Sequence, residues 1–180
     1  MRGHRDTWRI LRKQIGNEKY VWFHAASLGE FEQGRPLMER LRREHPEKKI
    51  LLTFFSPSGY EVRKNYEGAD VVCYLPLDTP LNARKFVRLA NPEAAYFIKY
   101  EFWRNYIDVL HQKHIPVYSV SSIFRPNQIF FRWYGRNYAR VLQRMTHLYV
   151  QNEESRALLA TIGVDHVTVV GDTRFDRVID

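Results

Sequence analysis

A single cysteine, Cys73, leaves 180 residues without a partner for an internal disulfide, which fits a reducing compartment. It lies in the apolar run Val71 to Leu75 and reads as a buried thiol. The seven histidines are scattered, and no Cys/His cluster has zinc spacing. Nor is there a glycine-rich phosphate loop. Gly29, Gly34 and Gly59 form neither the dinucleotide fingerprint nor a Walker A sequence, so a nucleotide-binding half is expected outside this chain. No signal peptide is recognisable, and no apolar run approaches the roughly 20 residues of a membrane span.

What is present is an ordinary globular core, with 44% hydrophobic residues. The length suits one domain or one lobe of a larger protein. Aromatic residues are abundant at 14%, and many fall between Tyr96 and Tyr149. The balance of 28 basic to 20 acidic residues gives a net charge of +8. That suits an anionic partner such as phosphate groups, a membrane surface or nucleic acid. It is equally compatible with solubility alone.

Apolar, β-rich runs alternate with amphipathic stretches of helical length. Strands are expected near 20–25, 49–55, 71–75, 94–99, 115–120, 147–151 and 166–170. Helices are expected near 31–45, 58–66, 80–90, 102–113, 127–145 and 153–162, with Met1 to Arg12 as a basic lead-in helix. Such alternation predicts an α/β fold, a Rossmann-like doubly wound parallel sheet with helices on both faces. Ile50-Leu51-Leu52-Thr53-Phe54-Phe55 is near-continuously apolar, as a strand covered on both faces should be. The basic lead-in occupies 1–19 and the sheet-bearing lobe 20–180. No closing helix follows the last strand, which leads to the expectation of an excised lobe.

Polar residues recur just after the expected strands, on the edge where a doubly wound sheet binds ligands. Ser27, Gly29 and Glu30 follow the first strand, and Ser56, Pro57 and Ser58 the second. Asp78 and Thr79 follow the third, Lys99 and Glu101 the fourth, and Ser121, Ser122 and Arg125 the fifth. Gln151 to Glu154 follow the sixth, and Asp172, Thr173 and Arg174 the last. Part of this is helix capping, which accounts for Ser56-Pro57-Ser58, Asp78-Thr79-Pro80 and Asn152-Glu153-Glu154. Lys99 and Arg174 have no such reason to stand at a helix N-terminus. Glu30, at the junction of strand and helix, is placed for general-base work. Taken by itself it equally suits a first-turn carboxylate favoured by the helix dipole.

Between 127 and 145, Arg132, Arg136, Arg140 and Arg144 follow one another at helical four-residue spacing. Ile129, Phe130, Trp133, Tyr134 and Tyr138 accompany them. A basic helix with aromatics suits a membrane surface or a phosphorylated amphiphile. It also suits a core-packed helix with a solvated outer face.

These residues give the chain a family resemblance. Its carriers are His24-Ala25-Ala26-Ser27-Leu28-Gly29-Glu30, Thr53-Phe54-Phe55-Ser56-Pro57-Ser58-Gly59 and Leu75-Pro76-Leu77-Asp78-Thr79-Pro80. Further on come Glu101-Phe102-Trp103-Arg104-Asn105, Gln151-Asn152-Glu153-Glu154 and Gly171-Asp172-Thr173-Arg174-Phe175-Asp176. In this order they resemble the N-terminal half of the bacterial 3-deoxy-D-manno-octulosonic acid (Kdo) transferases of lipid A biosynthesis, glycosyltransferase family 30. The resemblance implies a GT-B architecture of two Rossmann-like lobes with the site in the cleft between them. This lobe would bind the lipid A precursor, lipid IVA, and a C-terminal lobe absent here would hold most of the donor, CMP-Kdo. A hydrophobic anchor would precede the matched region, so the chain is expected to be trimmed at both ends.

The resemblance also implies the chemistry. Glu30 would be the general base for an inverting, metal-independent transfer without a cofactor. Arg174 would stabilise the departing phosphate. Glu101 would support the transition state, while Lys99 stands where the family commonly has another Glu, and Arg104 replaces its Pro. Acceptor contacts are expected from Ser27, Gly29, Ser56, Ser58, Arg125, Arg132 and Arg136. The expected location is the cytoplasmic face of the bacterial inner membrane, with that surface as a partner and no nucleic acid. The chain alone is expected to be inactive. Alternatives are another GT-B glycosyltransferase or sugar epimerase lobe, or a non-catalytic nucleic-acid-binding domain. The latter rests on the charge and lacks a recognised motif.

Overall fold

A computed structural model describes residues 2–100 and 102–171, with side chains from residue 5 onward. Seven strands form one parallel sheet: β1 (Tyr20–Ala25), β2 (Lys49–Phe54), β3 (Val71–Tyr74), β4 (Pro92–Ile98), β5 (Val117–Ser122), β6 (His147–Val150) and β7 (Val167–Val169). Their order is β3-β2-β1-β4-β5-β6-β7. The chain therefore winds outward from β1 to one edge, returns, and winds from β4 to the other. Right-handed crossovers in the two directions send the helices to opposite faces.

The faces follow from strand alternation. Val21, Phe23 and Ala25 of β1 pack with Phe31, Leu37, Met38 and Leu41 of α2 (Leu28–Glu44). Tyr60 of α3 (Pro57–Arg63) joins them. Tyr20 and Trp22 point the other way. They join the larger core, built from α1 (Arg2–Gln14), α4 (Pro80–Ala90), α5 (Arg104–Gln112), α6 (Arg136–Arg144) and α7 (Glu153–Ala160). Helix α1 is held to β3: Leu11 is buried, and Thr7 Oγ1 donates to the Tyr74 carbonyl at 2.8 Å. Cys73 is buried, and burial alone pushes its thiol far up.

The doubly wound fold, its strands and most of its helices match the sequence reading. The expected helix over 127–145 does not form as one piece. A 3₁₀ turn at Ile129–Phe131 is followed by a reversal, and α6 starts only at Arg136. Gly135 permits this close turn: a Cβ there would lie 1.8 Å from the Ile129 carbonyl oxygen. Arg132 consequently precedes the helix, and the stripe runs only from Arg136. Arg144 at its far end is bonded to Asp108 of α5. β5 also lies two residues later than expected, ending in Ser122. No helix among the described residues is long and apolar enough to cross a membrane.

Candidate functional site

The carboxyl ends of β1, β2 and β4 build the candidate site. β1 leads through Ala26 into Ser27, which caps α2 in an extended conformation. Glu30 falls in the first turn of that helix, and Ser27 Oγ donates to Glu30 Oε2. The pair is half-buried, while Gly29 between them is exposed. A Cβ on Gly29 would meet nothing nearer than Ser27 Oγ at 3.9 Å. Packing therefore does not demand glycine; its absent side chain leaves the approach to Glu30 open.

The neighbouring strand end is tied to this one. The amides of Phe55 and Ser56 both donate to the Ala26 carbonyl, at 3.3 and 2.8 Å. Ser56 Oγ accepts from the Ser58 amide and lies 2.9 Å from Ser58 Oγ. Ser27, Gly29, Glu30, Ser56 and Ser58 thus belong to one cluster, and the capping expected of Ser56 is present as well. Thr79 and Asn152 also cap, accepting from Asn82 and Ser155. Asp78 acts elsewhere. Its Oδ1 accepts the Asn105 amide at 3.0 Å, and its carbonyl accepts from the Asn105 side chain. This pins the start of α5 beside the loop after β3.

Beside the serine cluster lies an apolar hollow of about 370 Å³, lined by Phe55, Leu77, Asp78, Tyr100, Phe102 and Trp103. Phe55 meets the Trp103 ring edge-on at 5.3 Å. Beneath it, buried His24 meets Trp103 at 4.9 Å and holds Thr53 Oγ1 through Nδ1 at 2.8 Å. Trp22 Nε1 donates to the same hydroxyl. Composition offered no signal for this Trp22–Thr53–His24 relay, since all three look like strand residues. The alternation of β1 and its register with β2, which pairs His24 with Thr53, are what join them.

Lys99, just after β4, and Ser121, next to last in the adjacent β5, have φ of 62° and 58°. Left-handed backbone is costly for residues other than glycine and gathers where ligands bind. The Lys99 amide donates to the Val120 carbonyl at 2.7 Å, fixing that turn. Glu101 and Arg174 lie outside the described residues.

The arginines do not join this cluster. Arg125 belongs to a groove of about 620 Å³ with Ile123, Phe124, Pro126, Asn152 and Glu154. Arg132 and Arg136 line a third groove, of about 540 Å³, with Phe131, Trp133, Arg140 and Thr161. Among the described residues no three His, Cys, Asp or Glu side chains come together as a metal-binding set.

Comparison with known proteins follows the same lines. A family model described as 3-deoxy-D-manno-octulosonic-acid transferase (kdotransferase) matches residues 5–177. The chain is 28% identical over 162 residues to the 3-deoxy-D-manno-octulosonic acid transferase of Haemophilus influenzae, covering 87% of this chain and 38% of that protein. It is 40% identical over 88 residues to the Aquifex aeolicus transferase of the same name, covering 48% of this chain and 24% of that one. Among solved structures, it is similar to the UDP-GlcNAc 2-epimerase of Methanocaldococcus jannaschii, with a TM-score of 0.61 at 15% identity over 86% of this chain and 46% of that one. The Neisseria meningitidis epimerase bound to UDP-GlcNAc gives 0.63 at 12% identity, over 87% and 47%. At such identities the likeness is one of fold, a GT-B-like lobe. The chain spans less than half the length of each of these proteins.

Proposed function

Because this chain belongs to the 3-deoxy-D-manno-octulosonic acid transferase family, we propose that it is the acceptor-binding lobe of a glycosyltransferase that moves Kdo from CMP-Kdo to a lipid A precursor. The observation that carries this reading is the Ser27–Glu30 pair, half-buried at the mouth of β1 beside the open Gly29. An alcohol is a weak nucleophile, and a carboxylate within hydrogen-bond reach can take its proton as the oxygen attacks. In this proposal Glu30 accepts the proton of the acceptor's glucosamine 6-hydroxyl. That oxygen bonds to the anomeric carbon of Kdo from the face opposite CMP, the bond to the CMP phosphate breaks, and configuration inverts. Ser27 holds the carboxylate in position, and Gly29, Ser56 and Ser58 border the acceptor's path.

The remaining assignments follow from the family. Arg174 would meet the charge that builds on the departing phosphate, where a fixed cation is effective, and Glu101 would support it. Lys99 carries the opposite charge to the family's usual Glu, so it is assigned to an anionic group directly. Arg125 would meet an outlying phosphate of the acceptor. Arg132 and Arg136, in another groove, are assigned to phosphates of membrane-borne material, at the cytoplasmic face of the inner membrane. A second lobe would hold the donor, and no metal or cofactor enters the step. The likeness to epimerases is one of fold and adds no support for epimerisation.

The test is Glu30→Gln in the two-lobed enzyme. Transfer should fall about 10²- to 10⁴-fold, the usual worth of a general base, with acceptor binding retained. Undiminished transfer would remove Glu30 from the role. The 180-residue chain alone serves as a blank, since donor and acceptor must be held together for reaction.

A further inference from the structure

We propose that His24 is a positioning residue for the transfer: its Nε2–H, fixed as a donor by a buried relay, holds the segment from Lys99 to Trp103 against the centre around Glu30. The benefit to transfer rests on the proposed function, while the tautomer rests on this chain's own hydrogen bonds.

Trp22 and His24 lie two apart on β1 and project to the same face, and His24 pairs in register with Thr53 of β2. All three side chains are fully buried. An indole N–H can only donate, so Thr53 Oγ1 accepts from Trp22 Nε1 at 2.8 Å. The hydroxyl then has a proton of its own to place. Among the described residues its acceptor is His24 Nδ1, also at 2.8 Å. Nδ1 therefore offers its lone pair, and the ring carries its proton on Nε2. Were the proton on Nδ1 instead, Thr53 would take two donors and leave its own proton buried without an acceptor, a costly arrangement.

The far side of the ring is set in the wall of the site. Nε2 is shut off from solvent, and the ring meets Phe97 at 5.9 Å and Trp103 at 4.9 Å, edge to face. Trp103 stands at the start of α5 and meets Tyr106 at 5.7 Å. The segment leading to it begins at Lys99, whose left-handed backbone persists only where surrounding contacts sustain it. A donor of fixed direction beneath that segment supplies such a contact. With Phe55, Trp103 walls the hollow beside Ser56. A shift of that wall reaches the acceptor's path without touching the Ser27–Glu30 pair.

A histidine kept for packing would need only its ring, and one kept for Thr53 only Nδ1. These demands separate by substitution. His24→Phe keeps a ring, His24→Asn puts a polar atom near Nδ1 but stops short of Nε2, and His24→Gln reaches the place of Nε2.

The test has two arms. Nitrogen NMR of this chain with isotope-labelled histidine should show His24 protonated on Nε2 and bare on Nδ1. The opposite tautomer overturns the proposal, and this arm needs no variant to fold. In the two-lobed enzyme, His24→Phe and His24→Asn should raise KM for the lipid A precursor about tenfold, the worth of one hydrogen bond, and leave kcat near the parent's. His24→Gln should keep most of the parent's KM. The role is overturned if His24→Phe or His24→Asn keeps the parent's KM, if His24→Gln loses as much as His24→Phe, or if kcat falls while KM holds. Glu30→Gln should lower kcat and leave the tautomer in place, so failure of the base assignment and failure of the relay are read separately.

Discussion

On the α2–α3 face of the sheet, basic side chains find acidic partners. Arg35 pairs with Glu39 and Arg40 with Glu44, each at 2.9 Å, and Arg63 with Glu32 at 2.8 Å. Among the described residues of the opposite face, pairs such as Arg9 with Asp6, Arg144 with Asp108 and Arg156 with Glu153 are fewer. Exposed pairs add little stability, so the paired face is mainly neutralised and solvated. The other face keeps more of its positive potential. The cores beneath differ as well. The larger lies under the cationic face and gathers five helices, while the smaller is organised by α2. The face with charge to spare is thus the one with the broader foundation.

The contrast in cores can be broken most sharply at Trp22. It is fully buried under the cationic face, with Phe86 at 4.8 Å, Phe97 at 5.3 Å and Tyr106 at 5.9 Å. Trp22→Ala should cost about 3–5 kcal/mol in denaturant unfolding. A loss below about 1 kcal/mol would mean that the larger core does not hold the sheet. The smaller core should respond to the opposite insult. At Gly34 a Cβ would lie 2.0 Å from Ile98 Cδ1 and 3.0 Å from Cγ1. Gly34→Ala should therefore cost about 1–3 kcal/mol by overpacking. Adding Ile98→Val, which removes Cδ1, should recover part of that loss although the change alone destabilises. Simple additivity of the two would show that the close approach is not the cause.

Much of this was legible in the sequence, and the failures have physical reasons. The runs around Val21, Leu51 and Val71 could only be strands buried on both faces, and their alternation with helices fixed the winding. β5 was misplaced because its end reads as a loop. Ser119 and Ser122 are polar yet fully buried, satisfied by a mutual hydrogen bond of 3.1 Å. The break at Gly135 was invisible because it depends on the Ile129 carbonyl pressing on that residue, a contact that four-residue spacing does not report. Ser27, Glu30 and Ser56 come to one edge because each follows a strand, and strand ends share an edge in this fold. That rule does not say which groove receives a longer side chain, and Arg125, Arg132 and Arg136 line grooves of their own. The left-handed backbone at Lys99 and Ser121 had no signal, since neither residue type advertises it.

A smaller effect would sharpen the electrostatic side of the comparison, because one aspartate tied to each face should titrate with opposite sign. Asp70 is bound to α2. Burial pushes its carboxyl up, but the Ile50 amide and Arg42, each donating at 2.8 Å, outweigh that and hold it below its ordinary 3.8. Such a group contributes stability that is present above the unfolded value and lost as pH falls through the folded one. Asp78 lies at the start of α5. There burial prevails over the hydrogen bonds from Asn105, and the carboxyl is held above 3.8. The folded state takes up that proton first, so stability declines as pH rises from the ordinary value through the raised one. Asp70→Asn should accordingly flatten the acid loss of stability seen in the parent. Asp78→Asn, whose amide oxygen can still accept from Asn105, should remove a decline on the way to neutrality and leave neutral stability no lower. Urea unfolding of parent and variants between about pH 3 and pH 7 reads both slopes. Slopes that change in the same direction would show that these carboxylates answer to the net charge of the whole chain and not to the face each is tied to.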